Sequence, residues 1–175
     1  MKRAIFVTAV TGSGKSTVSR ALQQAGYLAV DIEDVPGLFT LVHEKTGEPM
    51  PAHDQTKLEL VRQGDWNCDR QKLTQLIAKQ TADTCFYCGA ASNYTEIWNL
   101  FDQVVFLHVS DETTLKRLST RKLGEFGNSE EVRRWVLTWK SWLENEWLTA
   151  GATPVTAEEP PQSVALKVVV ASKTL

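Results

Sequence analysis

The stretch Ala9-Val-Thr-Gly-Ser-Gly-Lys-Ser-Thr17 puts small residues, a cation and hydroxyls directly behind an apolar run. Gly12 and Gly14 let backbone N–H groups turn toward an anion with no Cβ in the way. A helix starting at Lys15 adds unpaired amides and a positive dipole end. From there Lys15 reaches the outer phosphates of a nucleotide, and the Ser16 hydroxyl is a ligand for Mg2+. The spacing fits the phosphate-loop template GxxxxGK[ST], with Ala9 where the first glycine stands. Thr11, Gly12, Ser13, Gly14, Lys15, Ser16 and Thr17 are the expected nucleotide-binding residues.

Other reactive side chains gather at the ends of later apolar runs. Asp31-Ile-Glu-Asp34 follows the second run, and the C-terminal end of a strand is where open parallel sheets bind ligands. Arg117 and Arg121 are four apart on an expected helix and share one face. Beyond them come the glycine-containing stretch Lys122-Leu-Gly-Glu-Phe-Gly127, then Arg133 and Arg134. The third run ends Cys85-Phe-Tyr-Cys88-Gly89, without the metal-facing acid of many hydrolytic NTPases, which favours transfer to a bound acceptor over hydrolysis. Residues three apart on a strand face opposite sides, so Cys85 and Cys88 are poorly placed to share an ion or a bridge.

Strands and helices alternate in the pattern that positions such residues. Ala4–Val7, Tyr27–Val30, Cys85–Cys88, Val104–Val109 and Thr153–Val155 read as strands, the last an edge strand because of Pro154. Helices are expected over Lys15–Gln24, Asp69–Lys79, Asp111–Arg121 behind the N-cap Ser110, from a capping box at Asn128 and Glu131 to about Leu148, and near Pro161–Ala171. Strand-helix alternation of this kind predicts an α/β domain with a mostly parallel sheet. More than fifty residues separate the second and third strands, too many for a plain crossover, which points to an insertion facing a substrate. Trp135, Trp139 and Trp142 form a helical stripe expected in the core, as is His108.

The chain has 175 residues, 42% apolar and 23% charged, with a net charge of −2. That is one ordinary globular domain. The slightly acidic balance argues against a nucleic-acid ligand. No run is long enough to cross a membrane, no export signal is visible, and three cysteines are an odd number, so reduced thiols and a cytoplasmic location are expected. Oligomeric state has no signature in the sequence.

Together these pieces resemble the P-loop kinases of small molecules, the group of shikimate, gluconate, nucleoside and nucleotide kinases. The likeness rests on Thr11-Gly-Ser-Gly-Lys-Ser-Thr17, Asp31-Ile-Glu-Asp34, Cys88-Gly-Ala-Ala-Ser-Asn93, Arg117-Leu-Ser-Thr-Arg121, and the ending Gly151-Ala-Thr-Pro-Val with Ala157-Glu-Glu-Pro-Pro. It implies a three-layer domain over residues 1–175, with a five-stranded parallel sheet in the order 2-3-1-4-5. Residues 32–68 would be an acceptor-binding insertion and 117–134 a lid region.

The same resemblance implies an ATP- and Mg2+-dependent kinase. Lys15, Asp31, Arg121 and Arg117 would be its catalytic residues, with Ser16 and Asp31 at the metal. Asp31 either holds a metal-bound water or faces the acceptor, and Asp34 lines the acceptor site. Trp66 is a further acceptor contact; Asn93 either hydrogen-bonds the acceptor or caps the next helix. Arg62 is the single arginine of residues 32–66, which favours a neutral or nucleoside-like acceptor over a shikimate-type or gluconate-type sugar acid. A nucleotide-binding regulator without an acceptor is the reading from outside the enzyme class.

Overall fold

The computed structural model describes residues 2–173. Its strands are β1 (Arg3–Ala9), β2 (Leu28–Asp31), β3 (Phe39–His43), β4 (Gly64–Cys68), β5 (Thr84–Cys88), β6 (Gln103–His108) and β7 (Thr153–Thr156). The helices are α1 (Lys15–Gln24), α2 (Leu58–Val61), α3 (Arg70–Ala78), α4 (Tyr94–Ile97), α5 (Asp111–Ser119), α6 (Glu130–Thr149) and α7 (Pro161–Ala171).

Five strands form an all-parallel sheet in the order β2-β5-β1-β6-β7. Counted within that sheet alone, the order is the expected 2-3-1-4-5. The labels run higher because β3 and β4, which the sequence reading did not separate from the insertion, pair antiparallel as a sheet of their own. Central β1 is buried from Ala4 to Ala9, as a strand covered on both faces must be. Pro154 sits on edge strand β7, where a missing N–H costs no ladder bond.

Two apolar layers cover the sheet. Val18, Ala21 and Leu22 of α1 and Val164, Val168 and Val169 of α7 pack on one face with Ile5, Val7 and Cys88. Leu73 of α3, Leu118 of α5, and Val136 and Trp147 of α6 pack on the other with Phe6, Cys85 and Tyr87. The thiols of Cys85 and Cys88 thus lie in different layers, and all three cysteines are free and buried.

Several local expectations shift. Asp31 is the last residue of β2. Helix α5 ends at Ser119, so Arg121 lies in the turn beyond it and shares no helix with Arg117. The stretch 117–134, expected as a lid, takes its ends from α5 and α6, leaving residues 120–129 as the connecting loop. Ser129, not Asn128, caps α6 by accepting from the Val132 N–H, while Asn128 donates to the Arg121 carbonyl at 2.8 Å. Trp135 and Trp139 are half-buried against the core, but Trp142 is 60% exposed, and the fully buried stripe of α6 is Val132, Val136, Lys140, Glu144 and Trp147. His108 ends β6 with its side chain 46% exposed.

Candidate active site

The C-terminal ends of β1, β2, β5 and β6 open on one edge of the sheet. After β1 the chain enters the glycine loop with Gly12 at φ 86° and Gly14 at φ 96°, both in the left-handed region, where a side chain is strained. A Cβ on Gly12 would also lie 3.1 Å from Leu118 Cγ. Ala9 is still extended strand, so the first template position needs no glycine here. Gly14 is the N-cap of α1 with no side-chain cap, and the first turn carries no acid. The leading amides of that helix are therefore left for an anion.

Around this loop four side chains converge. Lys15 Nζ donates to the Ala9 carbonyl at 3.2 Å and lies 3.9 Å from Glu33 Oε1. Burial lowers the Lys15 pKa; Glu33 opposes that shift, Arg121 adds to it, and Asp31 opposes it further. Burial also lowers the pKa of Arg121, against Glu125 and Glu33. Two cations and two carboxylates thus feel one another at the mouth of the loop, a balance that one bound phosphate chain would shift toward full protonation.

Glu33 is the residue the sequence reading passed over in favour of its neighbours. It stands in a single 3-10 turn, Ile32–Asp34, capped by Asp31 Oδ1, which accepts from the Glu33 N–H at 3.3 Å. Ile32 is fully buried and Asp34 exposed, so Glu33 is the acid turned toward Lys15. Its Oε1 accepts from the Ala90 N–H at 2.9 Å. Gly89 makes this possible: a Cβ there would lie 2.5 Å from Ile32 Cγ1 and 3.3 Å from Glu33 Cγ. The available signal was Ile32, whose burial splits the run of acids into an inward and an outward side.

Asp31 stands beside Cys88 in the β2–β5 register. Where other NTPases carry an acid at the end of that neighbouring strand, this chain has a buried thiol whose pKa burial pushes up to about 12, so it stays neutral. Ser16 is exposed in the first turn of α1. Its hydroxyl and the Asp31 carboxylate are hard oxygen donors of the kind Mg2+ takes, with phosphate and water completing the shell. Among the described residues no cluster of three or more His, Cys, Asp or Glu could hold a metal. Ser13 is buried, Thr11 half-buried and Thr17 exposed.

The arginines divide their work. Arg117 donates to the Ser13 carbonyl at 3.2 Å and to the Ala157 carbonyl at 2.9 Å, tying the glycine loop to the segment after β7. That segment is held again by Glu158, whose carboxylate accepts from the Ser110 N–H and the Thr113 hydroxyl, each at 2.6 Å. Arg121 donates to the Phe126 carbonyl at 2.7 Å while facing Lys15 and Glu33. Arg133 donates to the carbonyls of Gly127 and Asn128, whereas Arg134 pairs with Glu130 on the surface.

In the insertion expected to face an acceptor, the β3–β4 pair is fastened to the loop after β5. Trp66 N–H donates to Ser92 Oγ at 2.9 Å and its carbonyl accepts from Ser92 N–H at 2.8 Å. The Trp66 ring is 37% exposed and stacks on Phe39 with centroids 5.3 Å apart. Asn93 resolves its two expected roles into a third: its amide accepts from the Cys68 N–H at 2.9 Å and donates to the Cys68 carbonyl at 3.0 Å and to Glu96. It makes no side-chain cap to α4.

An AAA domain family matches residues 5–135. The chain belongs to that family. This AAA domain is 30% identical over 103 residues to a nucleotide-binding protein of Coprothermobacter proteolyticus, covering 57% of the chain. It spans 36% of that relative's length. Among solved structures it is similar to a gluconokinase from Sinorhizobium meliloti 1021, with TM-score 0.55 and 19% identity over 97% of this chain and 90% of that one. A shikimate kinase from Acinetobacter baumannii gives 0.57 and 21% over 100% and 96%. A deoxyadenosine kinase from M. mycoides gives 0.56 and 15% over 97% and 98%. The AAA domain of this chain thus has the fold of the P-loop small-molecule kinases. Among its described residues no helix is long and apolar enough to cross a membrane.

Proposed function

We propose that this protein is an ATP- and Mg2+-dependent phosphotransferase whose acceptor is a small molecule, a nucleoside or nucleotide. The observation that carries the reading is the position of Glu33, a carboxylate 3.9 Å from the loop lysine and facing Arg121. Phosphate chemistry needs cations at the anion and a base at the incoming hydroxyl, and this is where both are found together.

In this reading the amides of residues 11–17 and Lys15 hold the β- and γ-phosphates. Mg2+, held by Ser16 and Asp31, supplies charge neutralisation on the phosphate oxygens. Glu33 takes the proton of the acceptor hydroxyl as its oxygen bonds to the γ-phosphorus and the bond to the β–γ bridging oxygen breaks, releasing ADP. Arg121 stabilises the charge on the transferring group, and closure of residues 120–129 excludes water. Arg117 is a positioning residue that keeps the phosphate end and base end of the nucleotide site in register. Trp66 offers a flat apolar face for an acceptor ring, and Asp34 a carboxylate at the rim. Asn93 serves the acceptor site by fixing β4. The free, buried cysteines suit a reducing, cytoplasmic setting.

The test is ADP release from Mg-ATP with a panel of nucleosides, nucleoside monophosphates, shikimate, sugar acids and simple sugars, in wild type, Lys15→Ala and Glu33→Gln. Stimulation by a nucleoside or nucleotide, lost in both variants, supports the proposal. Stimulation by a sugar acid instead overturns the acceptor class. ATP binding without stimulation across the panel overturns phosphotransfer in favour of a nucleotide-binding regulator.

A further inference from the structure

Behind the site lies a charged cluster that the mechanism does not use. Lys140 of α6 is only 2% exposed, yet its ammonium lies 3.2 Å from Glu144 Oε1 and 3.3 Å from Asp111 Oδ1. Glu144, 9% exposed, also contacts His108 Nδ1 through Oε2 at 3.0 Å. These four residues come from α6, the start of α5 and the end of β6. Lys140 and Glu144 are one turn apart on α6, so Lys140 reaches α5 through Asp111, whose side chain is 58% exposed; a buried charge is a costly way to make that link, and apolar residues of similar size often serve stability as well or better. Its retention calls for something other than stability.

The placement supplies a reason. Helices α5 and α6 are consecutive, and the loop joining them, residues 120–129, carries Arg121. Asp111 is the first residue of α5, and Lys140 lies ten residues past the start of α6. At 1.5 Å per residue both are about 15 Å from the loop. The Lys140–Asp111 contact is therefore a strut across the base of a helix pair whose tip holds the arginine facing Lys15 and Glu33. Glu144 and His108 carry the strut on to the sheet. Ion pairs fix direction and register where an apolar contact permits sliding. A rocking of roughly 5°, small beside the scatter of helix crossing angles, would displace the tip by about 1.3 Å over that lever. Misplacement by about 1 Å at a reacting centre costs on the order of 100-fold in rate.

We infer that Lys140, with Glu144 and Asp111, is a positioning residue that holds the α5–α6 pair so that Arg121 stays opposite Lys15 and Glu33. The inference rests on the phosphotransfer reading for its effect on rate, but its effect on the loop is independent of it.

The experiment compares wild type with the double variant Lys140→Met/Glu144→Leu, which removes both buried charges together. A single Lys140→Met serves as the control that leaves the buried Glu144 with His108 but without its lysine. Thermal unfolding, amide exchange of residues 120–129 without nucleotide, nucleotide affinity and turnover are measured on each. The expected result is a double variant at least as heat-stable as wild type, with exchange in residues 120–129 faster by about 10-fold while the sheet is unchanged. Its kcat should fall by roughly 10- to 100-fold, with nucleotide affinity nearly constant. Unchanged exchange in the loop overturns the inference, as does a general rise in exchange that follows lost stability. Faster loop exchange in a protein whose wild type turns over no acceptor keeps the strut and overturns the phosphotransfer reading alone.

Discussion

Lys15 and Glu33 face each other at 3.9 Å across the mouth of the glycine loop, so the loop cation already has an internal anion beside it. Burial bears on Lys15 and the pairing on Glu33, and each has its own consequence.

Lys15 is held with a lowered pKa chiefly by burial. Between that lowered value and its ordinary 10.5, the unfolded chain binds more protons than the folded one, so folding stability rises with pH across that window. Lys15→Met should abolish this rise. Without nucleotide it should melt about 2–4 °C higher, corresponding to about 1 kcal/mol, while losing the upward shift that Mg-ATP gives wild type. Thermal melts from pH 7 to 10.5, with and without Mg-ATP, check all three.

Glu33→Gln should separate binding from chemistry. Removing a carboxylate from beside Lys15 relieves its repulsion of phosphate, so Mg-ATP should bind several-fold more tightly. Turnover should fall by roughly 100-fold or more, the range for loss of a general base. Calorimetric titration beside steady-state kinetics is the check; weaker ATP binding would place Glu33 among the nucleotide contacts instead.

The two arginines should fail differently. Arg117→Met removes charged hydrogen bonds to Ser13 and Ala157. It should cost about 2 kcal/mol of stability and raise the nucleotide KM about 10-fold through the loosened loops. Arg121→Met should leave KM close to wild type and lower kcat by roughly 100-fold or more. Denaturant unfolding and the kcat and KM of both variants distinguish them.

Glu158 gives an acid-side prediction. Its pKa is lowered because the Ser110 N–H and the Thr113 hydroxyl donate to the carboxylate. Its contribution is complete above the ordinary 4.5 and is lost as pH falls through the lowered value. The stability gap between wild type and Glu158→Gln should therefore be present at pH 7 and close on acidification below about 4.5. The group is exposed, so the gap will be small. Urea melts at pH 7, 5 and 3.5 measure it.

How far these features could be read in advance follows the distance over which each is decided. The glycine loop was legible because its pattern is local: two left-handed glycines, a lysine and a hydroxyl stand within nine consecutive residues. Strand β1 was legible because a strand buried on both faces must be apolar throughout. The short runs Phe39–His43 and Gly64–Cys68 carry no such mark. They are strands because they pair with each other and because Ser92 and Asn93 hold the second one from outside.

Residue type and spacing alone thus determined a glycine loop of the phosphate-loop pattern on a parallel α/β sheet, together with the strand ends that surround it. Tertiary structure alone decided which acid turns inward. Glu33 faces Lys15 because Ile32 seeks the core and Gly89, from a distant strand, leaves room for the turn. It also decided that Arg121 leaves its helix to face the site while Arg117 stays behind as a brace, and that a lysine in an aromatic helix is buried against Asp111. Each of these depends on contacts between segments far apart in the chain, and side-chain direction at such contacts is set by packing, which no local pattern encodes.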